Sequence, residues 1–199
     1  MLVTIAVVLS LVTGSVAVPP AAPPVEPSTR LENGLTGAHS QDLVVELDQD
    51  DRDRVTIDAQ FRLDSGEPGV LRIDFWNGTN PGVESEFSVG GVPHVWVRQV
   101  EGEEPESWIS PDIEADPALM ARYWGVMTDL RLYEAVAGNP LCGGLRWGLK
   151  ALTWIVGAAC CLSGSAALCL PCYVGASTAH DAADSIDCSK ECKPDCPIP

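Results

Sequence analysis

Apolar and polar side chains alternate with a period of two through the middle of the chain. The clearest run covers residues 55–63, where one face carries five apolar side chains: Val55, Ile57, Ala59, Phe61 and Leu63. Residues 70–75 alternate in the same way, and residues 43–47 form a shorter apolar run. This pattern predicts antiparallel strands with one buried and one solvated face within residues 41–110.

Two further apolar runs, 87–89 and 92–97, flank the pair Gly90-Gly91. A two-residue turn between strands places both central residues at positive φ, which glycine adopts without steric cost. The pair therefore predicts a tight hairpin within the same sheet.

From residue 117 the apolar spacing changes to three and four positions. The residues that follow this spacing are Leu119, Met120, Tyr123, Trp124, Met127, Leu130, Tyr133 and Val136. Asp116 followed by Pro117 is typical of a helix start, and the Gly-Asn-Pro sequence at 138–140 is typical of a helix end. The pattern predicts one amphipathic helix over 117–137 that lies across the sheet.

The chain carries no charged side chain over residues 151–180. This run is long enough to span a bilayer, but Pro171 and the Ser-Gly-Ser sequence at 163–165 interrupt it. Two compatible structures are expected from it. One is a pair of buried helices, at about 151–162 and 166–177, clamped by disulfides. The other is a hydrophobic peptide that meets membranes after its release.

A short helix with Asp181 as its N-cap is expected over residues 181–192, where Cys188 and Cys192 share a face. The predicted fold class is α+β. A small antiparallel β-sheet plus helix leader domain precedes a small α-helical disulfide-rich C-terminal domain.

The first forty residues are expected to lie outside the folded core. Residues 1–17 are apolar, uncharged and end in Ser-Val-Ala, which fits a cleaved export signal; an uncleaved anchor is the alternative. Residues 18–40 contain five prolines among small and polar neighbours, which is typical of an extended linker. The rest divides into an acidic leader domain, 41–137, and a cysteine-rich hydrophobic peptide domain, 138–199.

Charge is distributed unevenly along the chain. The 199 residues have a formal net charge of −16, and residues 1–138 carry −15 of it. Because a chain this negative repels phosphate backbones, we expect no nucleic-acid partner. No lysine precedes Lys150. An acid-rich, lysine-poor surface suits solubility in high salt, and a GC-rich genome is the alternative explanation.

All eight cysteines lie in the last 58 residues: Cys142, Cys160, Cys161, Cys169, Cys172, Cys188, Cys192 and Cys196. An even count in an exported chain favours disulfides, whose pairing the sequence does not specify. A metal site or a redox pair could use the Cys-x-x-Cys spacing at 169–172. Neither is favoured, because no histidine stands in a ligand pattern and no βαβ unit precedes the motif. Adjacent Cys160 and Cys161 are expected to bond to different partners, because vicinal bridges are strained.

The remaining candidate residues point to no catalytic chemistry. The chain lacks H-E-x-x-H, G-x-S-x-G and a phosphate-binding glycine loop, and its histidines, His39, His94 and His180, are isolated. The acids at 101–106 could bind calcium, although a solvated loop fits an acidic chain better. Asn77 begins a glycosylation sequon. We expect no enzymatic activity, no metal and no other cofactor.

The segment from Cys142 to Cys196 resembles the cysteine-rich halocin peptides of the C-eight microhalocin type. The features that carry the resemblance are an apolar Gly/Ala/Cys core at 157–177, an Asp/Ala stretch at 180–187 and a cysteine-spaced helix at 188–196. These bacteriocins of haloarchaea form the C-terminal part of a longer acidic precursor, which is exported and then cut. In the family's best-known member the N-terminal part acts as the immunity protein.

The resemblance implies a secreted antimicrobial peptide precursor whose released peptide acts on competitor cells, at the target-cell membrane or a membrane protein. Its other partners would be its own leader domain, for immunity, and the export and processing machinery. The expected cleavage region is the small-residue site that ends at Ala137, with Gly138 and Asn139 after it. The alternative is an exported cell-surface protein anchored by its hydrophobic C-terminal region. A disulfide-rich inhibitor of a hydrolase is the weaker third option.

Overall fold

Six antiparallel strands form one sheet whose strand order follows the sequence. The computed structural model of the chain describes residues 43–163 and 166–190. The expected export signal, the linker and residues 191–199 lie outside the described residues. The strands are β1 (Val44–Asp51), β2 (Arg54–Arg62), β3 (Pro68–Trp76), β4 (Gly82–Val89), β5 (Val92–Val100) and β6 (Glu106–Ile109).

Five α-helices follow the sheet in the described part of the chain. They are α1 (Asp112–Ala115), α2 (Pro117–Met127), α3 (Leu130–Ala137), α4 (Cys142–Ser163) and α5 (Ala166–Asp184). A 3-10 turn, Cys188–Lys190, comes last. The predicted α+β class, with a disulfide-rich helical end, is confirmed.

Alternation along the strands decides which face of the sheet is buried. Ile57, Ile73 and Phe87 lie on three neighbouring strands, and each is no more than 1% exposed. The opposite face is polar, and across β2 and β3 the Arg72 Nε lies 2.8 Å from Asp58 Oδ1. The predicted sheet therefore has one buried and one solvated face, as its period of two requires.

The hairpin between β4 and β5 turns at Gly90 and Gly91, whose φ angles are 59° and 78°. Both values are left-handed, so the prediction made from the Gly-Gly pair is confirmed. The sequence did not indicate β6. Three of its four residues are exposed, and no apolar alternation marks it.

The start of α2 agrees with the sequence. The Asp116 carboxylate accepts a hydrogen bond from the Ala118 backbone N–H at 3.1 Å, and Pro117 occupies the first turn. Asp116 thus acts as the N-cap and Pro117 as the first helical residue, as the sequence predicted.

The single helix predicted over 117–137 is wrong, because two helices, α2 and α3, occupy these residues. Asp129 separates them as a new N-cap, and its Oδ1 accepts a hydrogen bond from the Arg131 backbone N–H at 2.9 Å. The apolar period continues through the break, so hydrophobic spacing alone does not reveal it.

Both helices of the tail are longer than expected. α4 begins at Cys142 rather than near residue 151, and α5 continues through Pro171 to Asp184. Pro171 lies in the second turn of α5, where its missing N–H removes one helical hydrogen bond.

Asp181 lies inside α5 and does not cap a following helix. The prediction that a separate helix starts at residue 181 is therefore wrong. Beyond α5, the described residues contain a 3-10 turn and no further α-helix.

One buried cluster joins the sheet to the helices on both sides of residue 138. Tyr123 of α2 meets Phe87 of β4 edge-on, with ring centroids 5.6 Å apart. The expected boundary between residues 137 and 138 falls in the turn between α3 and α4. Leader and tail thus contribute side chains to the same core.

Candidate functional site

Three disulfides cross-link α4, α5 and the following turn, which together form the helical hairpin of the tail. The pairs are Cys142–Cys188, Cys160–Cys172 and Cys161–Cys169. As expected, the adjacent Cys160 and Cys161 bond to different partners. Cys192 and Cys196 lie outside the described residues. Cys169 and Cys172 do not bond to each other, and no group of residues suited to a metal ion occurs in the described part of the chain.

The disulfides close the hairpin at both of its ends. Two of them join α4 to α5 beside the connecting turn, and Cys142–Cys188 joins the start of α4 to the segment after α5. Between these ends the two helices meet closely, because a Cβ added to Gly157 would lie 2.7 Å from the Ala176 Cβ. The hairpin is therefore held by covalent bonds and by direct helix packing.

α4 carries two apolar stripes on different faces. The inner stripe is buried and consists of Leu145, Leu149, Leu152, Val156 and Cys160. The outer stripe follows the same spacing and consists of Trp147, Ala151, Trp154, Ala158 and Leu162. An ordinary surface helix has one apolar stripe and one polar face. α4 is apolar on the face that it buries and on the face that it shows to solvent.

Cys142–Leu162 is long and apolar enough to cross a membrane, by length and composition, and no other helix among the described residues is. Only 39% of its most apolar window is buried. A core helix of similar hydropathy is mostly buried, whereas α4 leaves several large apolar side chains in solvent.

Glycines on α4 bring its inner stripe close to the sheet. A Cβ added at Gly144 would lie 2.4 Å from the Phe75 Cζ, and one at Gly148 would lie 3.3 Å from the Val83 Cβ. The absent side chains let β3 and β4 approach the helix backbone. The inner stripe belongs to the same buried core as these strands.

A glycine also brings α5 into close contact with the leader. A Cβ added at Gly175 would lie 2.4 Å from the Trp124 Cγ of α2. The Tyr133 hydroxyl of α3 also lies 3.4 Å from the Ala179 carbonyl oxygen. Both helices of the hairpin are thus bound to the leader through close contacts.

The solvent-facing side of the hairpin is strongly apolar. Its exposed large side chains are Trp147, Trp154, Leu162, Leu170, Tyr173 and Val174, and Leu162 is 89% exposed. Trp147, Trp154 and Tyr173 all lie on the surface and not in the core.

A groove of about 560 Å³ opens on the outer side of the hairpin beside these tryptophans. Trp147, Trp154, Arg146, Lys150 and His180 are among its lining residues, all of which come from α4, α5 or Cys188. The Trp154 and His180 rings meet edge-on, with centroids 5.6 Å apart. The groove combines aromatic surface with cations.

Asp184 is the counter-ion of Arg146 and Lys150. The Lys150 Nζ donates a hydrogen bond to Asp184 Oδ1 at 2.7 Å, the Arg146 Nη2 lies 3.8 Å away, and the His180 Nδ1 lies 3.7 Å from Oδ2. The hydrogen bond from Lys150 is the main reason that the pKa of Asp184 is lowered. Spacings of four, Arg146 to Lys150 and His180 to Asp184, are the sequence signal that could have revealed this cluster.

The expected cleavage region lies in the turn that joins α3 to α4. Ala137 ends α3 and is half-buried, Gly138 is exposed, and Asn139 is 5% exposed. The Asn139 Oδ1 accepts a hydrogen bond from the Leu141 backbone N–H at 2.7 Å. A protease that cuts after Ala137 must therefore open this turn first.

The structure does not bring the other candidate residues into one site. His94 is buried on β5, with its Nδ1 4.0 Å from Asp112 Oδ2. Asn77 is exposed in the turn after β3, and His39 lies outside the described residues. The acids at 101–106 are exposed beside β6.

Comparison of the chain with models of protein families, with curated proteins and with solved structures gave no match. Membership of the halocin family therefore stays a prediction from the residue pattern of the tail.

Proposed function

We propose that the chain is the precursor of a secreted, halocin-like antimicrobial peptide. Proteolysis at the turn containing Ala137, Gly138 and Asn139 releases the cysteine-rich hairpin, which acts on the membrane of competitor cells. The chain performs no enzymatic step in this role.

The observation that carries the proposal is the pair of apolar stripes on α4. The stripe from Leu145 to Cys160 is buried in the core that the sheet and the helices share, and the large side chains of the stripe from Trp147 to Leu162 face solvent. Release of the hairpin removes the leader from the first stripe, after which α4 shows apolar side chains on both faces, beside the charged residues Arg146 and Lys150. A helix of that kind is stable in a protein core or in lipid. The leader thus keeps the inner stripe of this helix out of water until cleavage.

The disulfides fit a peptide that works outside the cell. Disulfides persist in oxidising surroundings and are rare in the cytosol. A hairpin of about sixty residues has little core of its own, and such small domains need covalent cross-links to stay folded. The three bridges would hold the α4–α5 pair together when the leader is gone.

The leader domain is the natural immunity partner in this scheme. It presents Phe75, Val83 and Trp124 at the points of closest approach to the hairpin. A producing cell that retains the free leader would rebind the peptide through the same contacts. The acidic surface of the leader keeps such a carrier soluble.

Intact mass spectrometry of the medium of cells that express the full chain tests the proposal. We expect a fragment that begins near residue 138 and gains two hydrogens for each disulfide on reduction. The purified fragment should inhibit the growth of sensitive cells, whereas the intact chain should not.

Replacing Ala137 by Glu gives the matched control, because a bulky charge should block a small-residue cleavage site without altering the hairpin. This variant should be exported uncut and be inactive. Recovery of only the full-length wild-type chain, in the membrane fraction, would contradict the proposal and favour the anchored surface protein instead.

A further inference from the structure

We propose that the groove between α4 and the end of α5 binds the anionic phosphate headgroup of a membrane lipid. Arg146 and Lys150 would contact the phosphate, and Trp147 and Trp154 would enter the interfacial layer on either side of it. The inference deepens the proposed function, on which it rests for its membrane setting.

The charge of the groove matches one phosphodiester. Arg146 and Lys150 supply two positive charges, and Asp184 offsets one of them. No carboxylate is among the described residues that line the groove itself. One positive charge therefore remains for a singly charged lipid phosphate, in a chain whose net charge is −16.

Arg146 has donors left for such a ligand. Its Nη1 lies 3.4 Å from the Ile186 carbonyl oxygen, and its distance of 3.8 Å from Asp184 permits ion pairing but exceeds hydrogen-bond range. A guanidinium has five N–H donors in a planar fork that suits phosphate oxygens. The side chain is 41% exposed, so a headgroup can reach it.

The tryptophans identify a membrane surface as the source of the phosphate. Trp147 and Trp154 are two helical turns apart on the outer stripe and are 40% and 63% exposed. Tryptophan concentrates at the level of lipid headgroups, and lysine and arginine extend from an apolar helix face to reach them. Leu162 and Leu170, exposed towards the turn between the helices, add apolar surface that can enter the acyl region.

The groove is open in the uncut chain. Among the described residues its lining comes from the hairpin alone, and no described residue of the leader covers it. The full-length precursor can therefore engage a headgroup before processing, and the full chain is the appropriate material for a test.

The test is flotation of the purified full chain with vesicles in about 0.5 M NaCl, where long-range repulsion by the leader is screened. Vesicles of phosphatidylcholine with about 30% phosphatidylglycerol are compared with pure phosphatidylcholine. We expect tighter binding to the anionic vesicles. Lys150→Gln should weaken it about threefold, and the double variant Arg146→Gln/Lys150→Gln about tenfold.

Matched control variants remove an arginine or a tryptophan that lies outside the groove. Arg72→Gln deletes an ion-paired cation of the sheet, and Trp108→Ala deletes an exposed tryptophan of β6, and both should bind as the wild type does. Trp154→Ala should weaken binding, and Lys150→Arg, which keeps the charge, should retain it. Circular dichroism of each variant checks folding.

Three results would overturn the headgroup site: equal binding by all variants, equal binding to both vesicle types, or no binding. Full competition by soluble glycerol phosphate would identify a free phosphate site instead of a lipid site. The proposed function is judged separately by the fragment in the medium. If the released fragment inhibits growth but the variants bind vesicles as the wild type does, the headgroup site is excluded and the proposed function stands.

Discussion

Asp129 stabilises the break between α2 and α3 from a nearly buried position. Its side chain is 8% exposed, accepts hydrogen bonds from the Arg131 backbone N–H and Nε at 2.9 Å, and receives Arg131 Nη2 at 2.8 Å. Asp116 caps α2 from an exposed position with one hydrogen bond. The two caps differ in burial and in the number of groups that depend on them.

We therefore expect Asp129→Ala to lower the free energy of unfolding by about 2–3 kcal/mol, because it removes a helix cap together with two charge-assisted hydrogen bonds to Arg131. Asp116→Ala should cost about 1 kcal/mol. Urea unfolding followed by circular dichroism measures both values. Equal losses would show that burial adds nothing to the Asp129 cap.

Asp184 makes the stability of the fold depend on pH in the acidic range. Its pKa is lowered because Lys150 donates a hydrogen bond to the ionised carboxylate. The ionised form therefore stabilises the fold at pH values above the ordinary pKa of about 3.8, and this contribution is lost as the pH falls through the lowered pKa.

Asp184→Asn should lower Tm at neutral pH, and the gap to the wild type should close as the pH is lowered below about 4. Glu114→Gln, at an exposed carboxylate of α1, is the control. Melting curves from pH 7 to pH 2 provide the measurement. A gap that stays constant over this range would exclude the Lys150–Asp184 interaction as its cause.

At the scale of elements, the sequence predicted most of the sheet and less of the helices. Alternation located β2 and β3, and Gly90-Gly91 located the next hairpin, because strand period and turn chemistry are local properties. The start of α4 was missed, since Gly143 and Gly144 disfavour helix in isolation. At Gly144 the close contact with Phe75 accounts for the glycine, and such a contact is not visible in local sequence.

The candidate site was predicted in part. The eight cysteines were identified as bridge formers, but 105 pairings are possible for eight residues, and the sequence does not choose among them. The groove at Arg146 and Lys150, and their ion pairs with Asp184, were missed. Both depend on how α5 returns along α4, which is a tertiary property.

The disulfides should differ in their contribution to stability. Cys142–Cys188 closes a sequence separation of 46 residues, whereas Cys161–Cys169 closes one of eight. In the chain-entropy model, replacing both members of the first pair by Ala costs about 4 kcal/mol, and replacing the second pair costs about 2.5 kcal/mol.

Urea unfolding of the two double variants under non-reducing conditions tests this order. Mass spectrometry before unfolding confirms that the remaining bridges are intact. A larger loss for the short loop would show that native packing around the turn, rather than loop closure, sets the contribution of these bridges.

At the scale of the whole molecule, leader and tail share one core. The sheet residues Phe75 and Val83 meet α4 through its glycines, and Trp124 meets α5 at Gly175. Removing residues 138–199 therefore uncovers aromatic and aliphatic surface on the leader.

A chain that ends at Ala137 should bind a hydrophobic dye such as ANS strongly and unfold at a lower temperature than the full chain. Adding the disulfide-bonded tail fragment should suppress the dye signal if the two parts rebind. A truncated chain with no dye binding and an unchanged Tm would show that the leader folds independently of the tail.

The sequential order of the strands also sets the order in which the molecule can assemble. Among the described residues each strand pairs only with its neighbours in sequence, so these six strands can form their sheet from residues 44–109. Contacts between near neighbours form fastest, and domains begin to fold as the chain emerges. The apolar α4 is made after the sheet, and it meets a surface that is already complete. Because synthesis runs from the N-terminus, the apolar helix α4 can pack against the folded sheet as soon as it is made, which shortens the time that it is exposed to water.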